Sequence, residues 1–243
     1  MKPFLILQLR PETEAADDEF QAFLKFGKLQ PDEVHRIRLD QADVPQGLDL
    51  ADYSGVIVGG GPGCISDDPA TKSEMDAKIE QACLALMPDI IRDDIPFMGC
   101  CYGIGILGHS LGAEISKERW GEVAGTADCE AVADDPLTEG LTGSWQAFVG
   151  HKEALQDLPE GAVHLVTSPT CRYQMIRYGQ NVYATQFHPE ADAAGFENRI
   201  NIYKHKGYFP PEDADRLIAM CRASDVTVPE EILRRFVDRY RTA

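Results

Sequence analysis

Positive charge is scarce in this sequence: 23 lysines and arginines face 40 aspartates and glutamates, a formal net charge of −17. Nucleic acid and anionic membrane surfaces would repel such a chain, so neither is expected as a partner, and the charge is read as a solubility feature. Long apolar runs are missing too; none approaches the ~20 residues that span a bilayer. The opening "MKPFLILQLR" is too short, and too soon followed by acids, for an export signal, and reads as a first buried strand. The seven cysteines, at 64, 83, 100, 101, 129, 171 and 221, form no CxxC pair and no Cys/His ligand spacing. Structural zinc is therefore not expected, nor any cofactor, and the thiols are expected to be reduced and the protein cytoplasmic.

What is present is an alternation of strand-like and helix-like segments. "FLILQL" (4–9), "VHRIRL" (34–39), "YSGVIVGG" (53–60) and "IPFMG" (95–99) read as strands, with helices over 14–29, after Asp68-Pro69, and over 102–112. This order implies an α/β fold, a mainly parallel sheet with helices on both faces. Residues 113–187 hold short extended pieces between Gly, Pro and Asp turns, expected as antiparallel additions to the sheet. The chain from 196 to 243 is read as a C-terminal helical extension of the same domain, in which Ile232, Leu233, Phe236, Val237 and Tyr240 share a helix face; it is expected to complete the core.

Chemistry concentrates in "IPFMGCCYGIGILG" (95–108). A nucleophile at a strand-turn-helix tip needs small residues two before and two after it. With Cys101 at the tip these are Gly99 and Gly103; with Cys100 they would be Met98 and Tyr102, so Cys101 is the candidate nucleophile. A helix N-terminus is expected to lower its pKa. Of six histidines, His188 ends the strand "NVYATQF"; Pro189 keeps it extended, and Glu190 falls where it can hold the imidazole. "GGGPGC" (59–64) follows the strand that should lie beside the elbow, so the Gly61 and Tyr102 amides are candidate oxyanion donors.

"GGGPG", "GCCYG" and "TQFHPE", in that order, resemble the class I glutamine amidotransferases, and in particular stand-alone proteins similar to the glutaminase domain of GMP synthetase. The resemblance covers residues 1–195 and implies a flavodoxin-like fold. It also implies hydrolysis of the glutamine side-chain amide through a γ-glutamyl thioester. Cys101 would be the nucleophile, His188 the base and Glu190 its orienter, with Gly60, Gly105, Gly150 and His151 at the substrate. The family's glutamine-binding Gln is replaced here by Gly105. With no synthetase in these residues, ammonia is expected to pass to a separate partner. A free-standing γ-glutamyl amide or peptide hydrolase with the same triad is the close alternative. A redox sensor, with Cys100 resolving a sulfenic acid on Cys101, and a non-catalytic binding module rank below both.

Overall fold

Apolar residues occupy the first four positions of the first strand, and alternate side chains feed two separate cores. In the computed structural model, which describes residues 2–241, the first half of the chain forms β1 (Phe4–Gln8), α1 (Thr13–Gly27), β2 (Val34–Arg38), β3 (Gly55–Val58), α2 (Glu74–Leu84), α3 (Met87–Arg92), β4 (Phe97–Cys100) and α4 (Tyr102–Ser110). The strands β5 (Ile115–Ser116), β6 (Glu122–Ala131), β7 (Trp145–His151), β8 (Ala154–Leu155), β9 (Ala162–Thr167), β10 (Met175–Tyr178) and β11 (Val182–Thr185) follow. The chain closes with α5 (Ala193–Tyr203), α6 (Ala214–Ala223) and α7 (Val228–Tyr240). Phe4 and Ile6 pack with Phe23 of α1 and Phe236 of α7, whereas Leu5 and Leu7 pack with Ile79 of α2, Ile90 of α3 and Ile104 of α4. Period-two side chains with helices on both faces make this an α/β, flavodoxin-like architecture.

Nine strands form one sheet in the order β2-β1-β3-β4-β11-β10-β9-β6-β7, and β5 pairs with β8 separately. The strands from β2 to β11 are parallel, and those beyond β11 are antiparallel. The expected antiparallel additions are therefore present with one exception: β11 runs parallel to β4. Another expectation needs correcting. Asp68-Pro69 does not open a helix: Asp68 accepts from the Ala70 amide in a turn, and α2 begins at Glu74 behind Ser73, whose hydroxyl accepts from the Asp76 amide at 3.0 Å. The apolar residues that bury a helix face begin only after this second cap, and packing selects it. Among the described residues no helix is long and apolar enough to cross a membrane.

The described part of the extension, residues 196–241, does two things. α7 completes the core as expected: Phe236 is fully buried, with its ring 6.3 Å from those of both Phe4 and Tyr183. α5 and α6 instead form a third apolar cluster with Ala124 of β6 and Phe148 of β7, beside the carboxyl ends of the central strands. Phe236→Ala should lower unfolding stability by about 3–5 kcal/mol in urea titration; a loss below about 1 kcal/mol would mean that α7 is not integral to the core.

Candidate active site

Three neighbouring parallel strands end at one place. β4 lies between β3 and β11, with Gly99 opposite Val58 on one side and Cys100 opposite Thr185 on the other. The next amide, that of Cys101, donates to the Thr185 carbonyl at 2.8 Å. The chain then reverses into α4 with Cys101 at φ 53° and ψ −93°, a left-handed conformation that non-glycine residues adopt at a cost. The crowding behind this turn falls on Gly99. A β-carbon there would lie 2.7 Å from the Gly103 carbonyl oxygen, whereas one on Gly103 would meet Val58 no closer than 3.4 Å. Cys100 points into the core with Phe4 and Met98, and burial pushes its thiol well up. It is poorly placed to act as a resolving thiol.

His188 follows β11. Its Nδ1 lies 2.9 Å from Glu190 Oε1, and both side chains are buried. Burial lowers the imidazole below its ordinary value, and Glu190 offsets this only in part. Burial alone would raise Glu190, but His188 and Arg199 outweigh it and hold the carboxyl well below its usual range. The pair is therefore a carboxylate accepting from Nδ1–H, which leaves Nε2 as an acceptor. Arg199 of α5, whose Nη1 is 2.9 Å from Glu190 Oε1, was invisible to motif reading: it lies in the extension and reaches Glu190 only through the packing of α5. Cys101 and His188 face one cavity and share no hydrogen bond among the described residues.

The expected depression of the Cys101 pKa is not found. Burial pushes the thiol up to about 12, against a lowering by Arg10 and, more weakly, Arg199. Desolvation of a thiolate on this buried side chain exceeds the partial charge of a nine-residue helix start.

Gly61 and Tyr102 line a cavity with Cys101, and Tyr102, as the first residue of α4, has no carbonyl for its amide within the helix. Gly105, Gly150 and His151 line the same cavity. The imidazole of His151 is already engaged, with Nδ1 2.8 Å from the Glu153 carbonyl and Nε2 2.8 Å from Glu122. Gly60 does not line it: its amide donates to Glu19 at 3.2 Å, and the residue packs against Arg10 and His188. A β-carbon on Gly105 would stand 3.3 Å from Oε1 of Glu153, whose carboxylate accepts from the Ile65 and Ser66 amides at 2.7 and 2.8 Å.

One oxygen, nitrogen or sulfur from each of Glu122, His151 and Cys171 falls within 4.8 Å of the others, a spacing that would suit a metal ion. The donors are poor ones. Glu122 already accepts from Gln174 and Thr170, and burial with the charge of Glu122 pushes the Cys171 thiol up. The group reads as a hydrogen-bonded brace between β6 and β7.

The family model described as Glutamine amidotransferase class-I matches residues 27–201. The chain belongs to the class-I glutamine amidotransferase family. A GMP synthase [glutamine-hydrolyzing] of Thermosipho africanus is 34% identical over 138 residues, which are 56% of this chain and 25% of that protein. Another from Lactobacillus delbrueckii is 31% identical over 189 residues, 77% of this chain and 32% of that protein. The amidotransferase chain thus spans about a quarter to a third of the curated relatives' length. A solved glutamine amidotransferase of Thermotoga maritima has the same fold, with a TM-score of 0.77 at 21% identity, covering 99% of this chain and 98% of that one.

With its thiol raised and its imidazole lowered, the amidotransferase should rest as a neutral pair. Iodoacetamide alkylation of Cys101, with Cys101→Ala subtracted, should keep accelerating above pH ~8.5, the ordinary thiol value. A rate plateau between pH 6 and 8 would instead reveal a resting thiolate–imidazolium pair.

Proposed function

We propose that the chain hydrolyses the glutamine side-chain amide through a γ-glutamyl thioester on Cys101 and releases ammonia for a separate synthetase. The observation that carries this reading is the meeting of Cys101, on its strained turn, with the buried His188–Glu190 pair at the ends of adjacent parallel strands. Sγ attacks the γ-carbonyl carbon while Nε2 of His188 takes its proton, so the thiolate forms only as the bond is made. The Gly61 and Tyr102 amides receive the developing oxyanion. The proton passes to the leaving nitrogen as the C–N bond breaks; water, deprotonated by His188, then clears the thioester. Glu190 holds the imidazole's tautomer and balances its transient charge, and Arg199 keeps Glu190 ionised while His188 is neutral.

The ammonia acceptor is inferred from the relatives, whose names join glutamine hydrolysis to GMP synthesis. The glutamine analogue 6-diazo-5-oxonorleucine should label wild-type protein once, on the Cys101 peptide, and leave Cys101→Ala unlabelled. Absence of labelling, together with no protection by glutamine against general thiol reagents, would overturn the reading.

A further inference from the structure

Glu19 is fully buried on α1 and has no role in the chemistry described above. A carboxylate so enclosed must be hydrogen-bonded, and its partners here lead to the site. Arg10 Nε donates to its Oε1 at 2.8 Å, the Gly60 amide donates to the same oxygen at 3.2 Å, and Gln8 Nε2 donates to Oε2 at 3.1 Å. Gln8 is itself fixed. It donates to the Ala16 carbonyl at 2.6 Å and accepts from Arg36 of β2 at 2.6 Å. One carboxylate thus ties α1 and the end of β1 to the loop that follows β3.

The glycines of that loop make room for the Arg10–Glu19 pair. A β-carbon on Gly59 would lie 2.4 Å from Glu19 Oε2, and one on Gly60 would lie 2.7 Å from Nη2 of Arg10 and 2.9 Å from Cε1 of His188. The consecutive amides then differ in what they bond. That of Gly59 donates to the Leu7 carbonyl at 3.0 Å, and that of Gly60 is taken by Glu19. The Gly61 amide donates to no acceptor among the described residues, and Gly61 borders the cavity with Cys101. Arg10, buried as well, borders the cavity that Cys101 and His188 face, where its charge opposes the raising of the thiol.

We propose that Glu19 is a positioning residue for the oxyanion hole. By holding Gly60, and Arg10 against Gly60, it keeps the next amide, that of Gly61, fixed and unengaged for the substrate's carbonyl oxygen. The proposal rests on the thioester chemistry above. A donor that counts only once the oxygen carries charge acts on the transition state, so loss of its position lowers kcat and leaves KM in place.

Two variants separate positioning from packing. Glu19→Gln keeps the shape and one acceptor but turns an NH2 group toward a neighbouring donor; kcat for glutamine should fall about tenfold with KM unchanged. Arg10→Met/Glu19→Leu removes both charges and leaves neither unpaired, so its urea midpoint should stay near that of wild type. Its kcat should nevertheless fall about 100-fold, the scale of a lost oxyanion donor. Wild-type kcat in the double variant would reduce the pair to core packing and overturn the proposal. A raised KM at full kcat in Glu19→Gln would also overturn it. Hydrogen exchange in the wild-type chain, followed by NMR, needs no variant. The Gly60 amide should exchange far more slowly than that of Gly61, and equal rates would contradict the hold of Glu19. Labelling of wild-type Cys101 by 6-diazo-5-oxonorleucine keeps the two readings apart. Its absence removes the thioester chemistry, whereas labelling with undiminished kcat in both variants removes the role of Glu19 alone.

Discussion

The parallel pairing of β11 with β4 is the constraint on which the site depends. Its register sets Thr185 against Cys100 and extends by one further bond, from the Cys101 amide to the Thr185 carbonyl. A slip of one residue would turn the side chains of β11 to the opposite faces and carry His188 away from the thiol. The same strand, β4, is fixed on its other edge by β3, which delivers the glycine loop. Two ladders of backbone hydrogen bonds thus bring the Cys101–Tyr102 turn, the Gly61 loop and His188 together from three distant parts of the sequence. The fully buried Val182, Tyr183, Ala184 and Phe97 hold that register.

Desolvation dominates the electrostatics of this place. It raises the thiol, lowers the imidazole and would raise the carboxyl were Glu190 not between His188 and Arg199. The result is a site in which thiol and imidazole rest uncharged beside an ion pair already in position. Arg199 makes α5 part of that arrangement. The helix that walls the cavity beside His188 therefore also holds Glu190 ionised.

Much of this was legible in the sequence because it depends on local rules. The apolar runs of β1, β3 and β4, Gly99 before the tip and His188-Pro189-Glu190 after a strand each follow from sterics within a few residues. What was not legible depends on packing at a distance. Nothing near Asp68 reveals that the helix waits for Ser73; only the burial of Ile79 and Cys83 decides it. Nothing near Gly60 reveals that Glu19 takes its amide, and nothing near Arg199 reveals Glu190. The direction of the Cys101 pKa escapes the sequence for the same reason: a helix start is visible there, whereas the burial of the side chain is not. The extension was read as core, which holds for α7, but α5 and the loop to Phe209 form the wall of the site.

The central claim is that Cys101 carries the acyl group during turnover. Mixing the protein with a saturating γ-glutamyl substrate, quenching in acid and mapping its peptides by mass tests this most directly. The account predicts one γ-glutamyl group on the peptide containing Cys101, removed by hydroxylamine and absent from Cys101→Ala. Substrate turnover with that peptide unmodified at every quench time, or with the adduct on another cysteine, would contradict it.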